Sequence, residues 1–189
     1  MSWVDSLNPT AVLTGDPALG QPLQAFVRAK DVVRVAKAML RQGYFLEDVT
    51  GLDVAEGIEV IYHFDHMDTP GRATLRVLVP HDAATVPSIA AVFHGAEWHE
   101  RETMDFFPVV FAGNPNPSRL LLPAEMEPGV LAKDAKARAS LAALMQWSEL
   151  DIRDASAPES VALAAKAAAA EAAAAAAKSK AKAKEEVGA

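Results

Sequence analysis

The sequence predicts an α/β fold, an α+β sandwich in which a small, mostly antiparallel sheet carries helices on one face. Two neighbouring segments, IEVIYHFDHM at 58–67 and ATLRVLVP at 73–80, are rich in β-branched and aromatic residues and can pair as antiparallel strands. Two other segments, 32–42 and 88–106, place apolar residues at helical spacing. The resulting order, β-α-β-β-β-α, favours one sheet packed against a layer of helices.

The elements before the paired strands follow from local signals. The segment PLQAFV at 22–27 predicts a short strand, and Asp31 lies where a helix N-cap is expected. Gly43 ends the helix, and YFLEDVTGLDV at 44–54 predicts the next strand. One side of that first helix is apolar and consists of Val32, Val35, Ala36, Met39 and Leu40.

The composition divides the chain around a predicted α/β domain at 22–111. Residues 1–21 are rich in Pro, Gly and Asn and predict an irregular leader. Residues 112–135 form a predicted extended arm for binding a partner, because the Pro-rich stretch AGNPNPSRLLLPAEMEPG cannot be regular and long loops of this kind are usually functional.

The remainder of the chain is predicted to be helical. A helix-compatible pattern over 130–150 places a C-terminal helix at 136–157, and Pro158 marks a break. The Ala/Lys-rich tail at 158–189 has high helix propensity but no stripe of large apolar residues. It is expected to be a marginal helix or a disordered appendage.

Charge and composition exclude several classes of function. The net charge is −7, and since the five lysines and four acids from Pro158 onward add one positive charge, the preceding residues carry −8. Such an acidic body repels phosphate backbones, so nucleic-acid binding is not expected. The absence of cysteine excludes disulfides, Cys-ligated iron–sulfur clusters and thiolate zinc sites on this chain. The N-terminal residues lack the features of a signal peptide, and no membrane-spanning helix is expected.

The candidate functional segment is EWHERETMDFFPVVF at 97–111, which is densely charged before it becomes apolar. On a helix over 88–106 that ends before Pro108, the core-facing stripe is Ile89, Val92, Phe93 and Ala96. The opposite side carries two small residues, a large aromatic residue and an alternating set of charges: Ala91, Gly95, Trp98, Arg101, Glu102 and Asp105.

Several interpretations of this face are open from the residues alone. The metal interpretation is weak, because His94 and His99 are five apart and HER at 99–101 lacks the second histidine of an H-E-x-x-H pair. The carboxylates could serve acid–base chemistry, or Glu97 and Arg101 could form an ordinary i,i+4 pair on a solvated face. A partner interface is the remaining interpretation.

The segment resembles the signature of the thirty-kilodalton subunit family of NADH-quinone oxidoreductase, also known as the C subunit of respiratory complex I. The resemblance spans about 25–135, including FLEDVTGLD at 45–53 and EVIYHF at 59–64. Pro108 stands where the family usually has Gly, and Asn114 where it has His. The matching residues of the signature are Trp98, Glu100, Arg101, Glu102, Asp105, Phe111, Gly113, Pro115, Arg119, Leu121, Leu122, Pro123, Lys133 and Asp134.

The resemblance implies a non-catalytic structural subunit in the peripheral arm of a membrane-associated electron-transfer complex. Such a protein docks on a large subunit related to that of [NiFe] hydrogenases and binds no cofactor itself. Iron–sulfur clusters, and a flavin or a nickel–iron centre, belong to partner subunits. The expected location is peripheral, on the cytoplasmic face of the cell membrane. The equivalent subunit of an energy-converting [NiFe] hydrogenase or of formate hydrogenlyase, and a free-standing adaptor, are the alternatives.

The resemblance also implies which residues form the interface: Trp98, Glu100, Arg101, Glu102, Asp105, Pro115, Arg119, Pro123, Lys133 and Asp134. Two expectations follow for the mechanism of docking. The arm at 112–129 lacks hydrogen-bond partners of its own and should lie over a partner. Arg101 is the hub, neutralised by Glu97 or Asp105 and by a partner residue.

Overall fold

The computed structural model describes residues 3–15, 23–68 and 71–187. Its main feature is a six-stranded sheet, whose strands are β1 (Ala11–Thr14), β2 (Leu23–Phe26), β3 (Tyr44–Val54), β4 (Gly57–His66), β5 (Ala73–Val79) and β8 (Glu149–Ile152). Their order in the sheet is β3-β4-β5-β2-β1-β8. All neighbouring strands are antiparallel except β2 and β5, which are parallel. The predicted fold class, an α/β fold with a mostly antiparallel sheet, is confirmed.

The first face of the sheet carries the main hydrophobic core. Because side chains alternate along a strand, β4 directs Ile58, Val60, Tyr62 and Phe64 to this face. Two helices cover them: α1 (Val32–Arg41) and α2 (Ala96–Phe106). Each fully buried side chain of this size contributes about 1.5–3 kcal/mol to stability. The α1 stripe predicted from the sequence is buried except for Leu40, which is exposed.

Helix α2 begins later than the predicted residue 88. Residues 90–95 form turns, and Ile89 and Phe93 are buried there as predicted. A small parallel pair, β6 (Thr85–Pro87) and β7 (Val110–Ala112), brackets the helix in the chain. The Ser88 amide donates to the Ala112 carbonyl and so continues the pairing of β6 with β7, which is why the helix does not begin at Ser88.

Helix α2 lies against the edge strand β3. Gly51 makes this close approach possible, since a Cβ there would lie 2.5 Å from Cδ2 of Phe107. The hydroxyl of Thr103 donates to the Val49 carbonyl at 3.2 Å. The helix is therefore fixed in register against the sheet, and its outward side faces the segment that follows it.

The helix predicted over 136–157 is wrong. Only α3 (Leu141–Leu144) and a short 3₁₀ turn (Ala135–Ala137) are helical there, and Glu149–Ile152 is the edge strand β8. Residues before α3 are held by tertiary contacts, such as the Ala55 amide donating to the Ala139 carbonyl. These contacts override the helix propensity of the segment.

The leader at 1–21 is not wholly irregular, because it contains strand β1, which pairs with both β2 and β8. Residues 1, 2 and 16–21 of the leader lie outside the described part of the chain. The predicted arm has neither helix nor strand from 113 to 134, as its proline content indicated.

The second face of the sheet is also covered. Phe26 and Val54 point there, and they form a second buried cluster with Leu141 of α3 and Leu163 of α4 (Pro158–Val187). Helices therefore lie on both faces, whereas the sequence predicted one. The Ala/Lys-rich tail, for which a marginal helix and a disordered appendage were the two expectations, is helical over Pro158–Val187. Across the described residues, no helix is both long and apolar enough to span a membrane.

Candidate functional site: an arm fastened to helix α2

The carboxylate of Asp105 holds the middle of the arm. Its Oδ2 accepts hydrogen bonds from three consecutive backbone amides, those of Leu120 at 3.0 Å, Leu121 at 2.7 Å and Leu122 at 3.1 Å. Nη1 of Arg119 lies 3.9 Å from Oδ1. The Asp105 side chain is buried, so these donors replace the water that it loses.

This arrangement keeps Asp105 ionised. Desolvation alone raises the pKa of Asp105, but the three amides and Arg119 favour the charged form more strongly, and its pKa lies below the usual value. An ionised acceptor forms stronger hydrogen bonds than a neutral one. The three amides come from an irregular segment that has no strand or helix partners, and Asp105 supplies them all with an acceptor.

Arg101 fastens the arm one turn earlier on the same side of α2. Its Nε donates to the carbonyl of Ser118 at 2.9 Å, and its Nη2 donates to the carbonyl of Arg119 at 3.0 Å. The guanidinium carbon lies 5.4 Å from the ring centroid of Trp98, within range of a cation–π contact.

The expected role of Arg101 as a charge hub neutralised by Glu97 or Asp105 is wrong for the isolated chain. Among the described residues, no carboxylate lies within 4.0 Å of its guanidinium. The carbonyls of the arm take that place because they reach the same side of α2. Glu97 contributes only its backbone carbonyl, which accepts from the Asn114 side chain at 3.2 Å.

Glu100 faces inward and fixes the beginning of the arm. Its carboxylate is fully buried and accepts from the Ser88 hydroxyl at 2.6 Å, the Ile89 amide at 2.8 Å and the Asn114 side chain at 2.8 Å. Desolvation raises the pKa of Glu100 despite these three donors. The charges of α2 thus divide between its two sides, with Glu100 turned towards the core and Arg101 and Asp105 towards the arm.

The end of the arm is held by backbone bonds and by Asp53. The Gly129 amide donates to the Asp105 carbonyl, and the Leu131 amide donates to the Phe106 carbonyl, each at 2.9 Å. The Lys133 amide then donates to Oδ2 of Asp53 at 2.7 Å. The expectation that the arm lacks hydrogen-bond partners of its own is therefore wrong, because α2 and β3 supply them.

Asp53 had no predicted role from the sequence. This carboxylate is fully buried at the end of β3, where Oδ1 lies 2.8 Å from both Nε2 of His81 and Nε of Arg138. Desolvation opposes its ionisation, but the Lys133 amide, His81 and Arg138 together lower its pKa. The sequence signal that could have indicated its importance was its place in Gly-Leu-Asp at 51–53, the end of the family-like segment 45–53.

The outward side of the arm is apolar and exposed. We call this set the arm surface: Leu121, Met126, Val130 and Leu131, with relative exposures of 59%, 44%, 47% and 53%. Trp98 is 61% exposed on the adjoining helix. The arm is thus bound to α2 and β3 through its backbone while its large apolar side chains remain in solvent, which is typical of an interaction site.

The other predicted interface residues differ in their exposure. Arg119 and Glu102 are half-buried, whereas the side chains of Pro115, Pro123, Lys133 and Asp134 are exposed. In the described part of the chain, no group of three or more His, Asp or Glu side chains is arranged to hold a metal ion. In the candidate segment, Nδ1 of His99 lies 3.2 Å from Oδ1 of Asp48.

The fold and the site together define a small α/β domain with an arm fastened to one helix and an apolar outer surface. Comparison with known families shows which family has this domain. The model of the respiratory-chain NADH dehydrogenase 30 kDa subunit matches residues 25–140, and the chain belongs to this family.

Individual relatives agree with this assignment. The chain is similar to the C subunit of NADH-quinone oxidoreductase from Roseiflexus sp. (strain RS-1), with 35% identity over 67% of this chain and 76% of the relative. It is also similar to the J subunit of NAD(P)H-quinone oxidoreductase from Prochlorococcus marinus (strain NATL1A), with 29% identity over 57% of this chain and 68% of the relative.

Two solved structures share the fold. One is a chain in the structure of the membrane-bound sulfane sulfur reductase, an archaeal respiratory membrane complex. It has a TM-score of 0.50 and 26% identity, covering 54% of this chain and 62% of that chain. The other is the trypsin-resistant fragment of Nqo5, with a TM-score of 0.50 and 24% identity, covering 59% of this chain and 92% of that fragment. The second likeness concerns the fold alone.

Proposed function

We propose that this chain is a non-catalytic subunit of a membrane-associated electron-transfer complex of the NADH-quinone oxidoreductase type. In this proposal it docks, through the arm surface and Trp98, on the large subunit that resembles those of [NiFe] hydrogenases. The observation that carries the proposal is the Asp105 carboxylate, which fastens the arm backbone to α2 and leaves the apolar side chains of the arm outward.

Prior ordering of the arm favours docking. A flexible segment loses conformational freedom when it binds, and each residue fixed costs about 1–2 kcal/mol. Here Asp105 and Arg101 already fix residues 118–122 in the free chain, so binding need not order them again. Burying a leucine side chain fully contributes about 1.5–3 kcal/mol, and Leu121 and Leu131 are available for this.

In this proposal the charged side chains of α2 set the position of the arm surface more than they add to the affinity for the partner subunit. The polar atoms of Asp105 and Arg101 are largely occupied by hydrogen bonds and charge contacts to this chain's own arm, which leaves few of them to bind a partner. Their contribution to docking is to set the position of the arm surface relative to the sheet. In this proposal the chain binds no cofactor, and the iron–sulfur clusters, with a flavin or a nickel–iron centre, lie on partner subunits. The chain is peripheral, on the cytoplasmic face of the membrane.

A second candidate is the equivalent subunit of a different respiratory membrane complex, such as an energy-converting [NiFe] hydrogenase. The likeness to a chain in an archaeal membrane-bound sulfane sulfur reductase supports it, since that complex is named for a different activity from that of the quinone reductases. The fastened arm and its outer surface would serve docking in either complex.

Affinity purification of the tagged chain from native membranes, with identification of the co-purifying subunits, tests the proposal. We expect a hydrogenase-like large subunit in equal amount. NADH- and flavin-binding subunits would select the quinone oxidoreductase, and a nickel-bearing large subunit would select the hydrogenase. Recovery of the chain without any partner would contradict both and favour a free-standing adaptor.

A further inference from the structure

The second face of the sheet is lined by a buried ionic network. Nε of Arg76 donates to Oε1 of Gln24 at 2.9 Å, and Nη1 of Arg76 donates to Oε1 of Glu59 at 2.8 Å. Glu59 is fully buried, and its Oε2 has no hydrogen-bond partner among the described residues. Apolar side chains surround the network on the same face: Ala11, Leu13, Phe26 and Val54.

The first turns of α4 fill the groove above this face. The Thr10 hydroxyl donates to Oε1 of Glu159 at 2.6 Å, and the Ser160 hydroxyl donates to the Thr10 carbonyl at 3.4 Å. Leu163 is fully buried in the apolar cluster. Nζ of Lys166 donates to the carbonyls of Ala142 and Met145, each at 2.6 Å, and lies 4.8 Å from the ring centroid of Trp147.

These contacts have the spacing of a helix bound in a groove. Glu159, Leu163 and Lys166 are separated by four and three residues, so they lie on one side of α4. Each meets a different kind of partner: a hydroxyl donor, an apolar pocket, and a pair of carbonyls beside an aromatic ring. The contacts therefore match an acid and a serine in the first turn of the helix, a leucine one turn later and a lysine one turn further.

The contact is also limited in extent. Leu163 is the only large apolar side chain of α4 that is buried among the residues whose burial is described, and all described side chains from 168 onward are exposed. Beneath the helix, burial raises the pKa of Glu59 although Arg76 opposes this, and the charges of Glu56 and Glu159 raise it further. A segment held by few buried apolar contacts opens locally more readily than the core of a sheet.

We propose that the second face of the sheet is a helix-binding site that the chain keeps closed with its own C-terminal helix. Helix α4 opens as a local unit without unfolding the sheet. The open site takes, in trans, a helix with the side-chain chemistry of α4, namely an acid and a serine followed by leucine and lysine at the same spacing. This site lies on the opposite face from the arm and does not depend on the proposed function.

A labelled peptide with the sequence of residues 158–175 tests binding in trans. In the unchanged chain the tethered helix competes at an effective concentration in the millimolar range, so the peptide should bind weakly. The full chain with Leu163→Ala and Lys166→Ala should bind the peptide at least about 10-fold more tightly, since loss of a buried leucine alone shifts such an equilibrium by about 30-fold. The control is Val161→Ala, an exposed position on the same helix, which should behave like the unchanged chain.

Fluorescence anisotropy measures the peptide affinity for the three chains. Equal affinity for all three, or no binding to the double variant, would overturn the proposal. Hydrogen exchange of the unchanged chain provides a second test that needs no substitution. The amides of residues 162–167 should exchange at least about 10-fold faster than those of β4 after correction for intrinsic rates. Equal protection of α4 and β4 would show that the helix opens only with the whole fold and would also overturn the proposal.

Discussion

The substitution Asp105→Asn removes the charge that holds the arm while keeping the shape of the side chain. Asp105 accepts from the amides of Leu120, Leu121 and Leu122 through one oxygen. A hydrogen bond to a charged group contributes about 1.5–3 kcal/mol, and one between neutral groups about 0.5–1.5 kcal/mol. Each of the three bonds should therefore weaken by about 1 kcal/mol, which gives about 3 kcal/mol for the arm.

Hydrogen exchange measures this effect directly at the three amides. A loss of about 3 kcal/mol corresponds to roughly 150-fold faster exchange of the Leu120, Leu121 and Leu122 amides, if the arm opens locally. The amides of β4 should keep most of their protection, because Asp105 lies outside the main core cluster. The matched control is Asp82→Asn, an exposed carboxylate, which should leave exchange at all these amides unchanged.

Two results would refute this reasoning. Unchanged protection of the three amides in the Asp105→Asn chain would mean that the carboxylate does not hold the arm. An equal loss of protection in the arm and in β4 would mean that Asp105 stabilises the whole domain and that the arm is not a separate unit.

Three further predictions concern stability and assembly. The folded protein lowers the pKa values of Asp105 and Asp53, so the ionised carboxylates stabilise the fold fully above their unfolded pKa of about 3.9. This stabilisation is lost as the pH falls through the folded pKa values, and urea unfolding should therefore show a decreasing free energy of unfolding below about pH 4. Gly57→Ala should destabilise the fold by about 3 kcal/mol or more in urea unfolding, because its Cβ would lie 2.2 Å from the Val79 carbonyl oxygen. Gly95→Ala, where a Cβ meets open space at the N-cap of α2, should cost no more than about 1 kcal/mol. Arg101→Ala should leave circular dichroism unchanged but reduce the fraction of the chain found in the complex on native gels, and normal assembly would contradict its role in positioning the arm.

The sheet was predictable where strand signals were local and strong. The segments at 44–54, 58–67 and 73–80 carry β-branched and aromatic residues, and the structure has β3, β4 and β5 there within one residue. Their pairing follows from short connections between consecutive strands.

The missed elements depend on contacts that are distant in the sequence. Strand β8 pairs with β1, which lies more than a hundred residues earlier, and neither segment has a strong strand composition of its own. The segment 130–140 has helix-forming residues, but Asp53 and Glu56 of the β3–β4 hairpin bind its backbone and the beginning of α3. Local propensity cannot show such an override.

The charged face of α2 was only partly predictable. Helical spacing correctly placed Trp98, Arg101 and Asp105 on one side, but it could not show that the arm folds back over them. Glu100 was assigned to the interface, and the structure turns it inward to bind Ser88 and Asn114. A carboxylate with three donors in the core has the same appearance in a sequence as one in solvent.

Docking through the arm surface is tested most directly by co-purification after a charge is placed on that surface. Leu131→Glu changes a side chain that is 53% exposed, and Leu40→Glu on α1 changes one that is 50% exposed outside the arm surface. Both chains should fold, since neither side chain is in the core. We predict that the Leu131→Glu chain loses its partner subunits while the Leu40→Glu chain keeps them. Retention of all subunits by the Leu131→Glu chain would contradict docking through the arm surface.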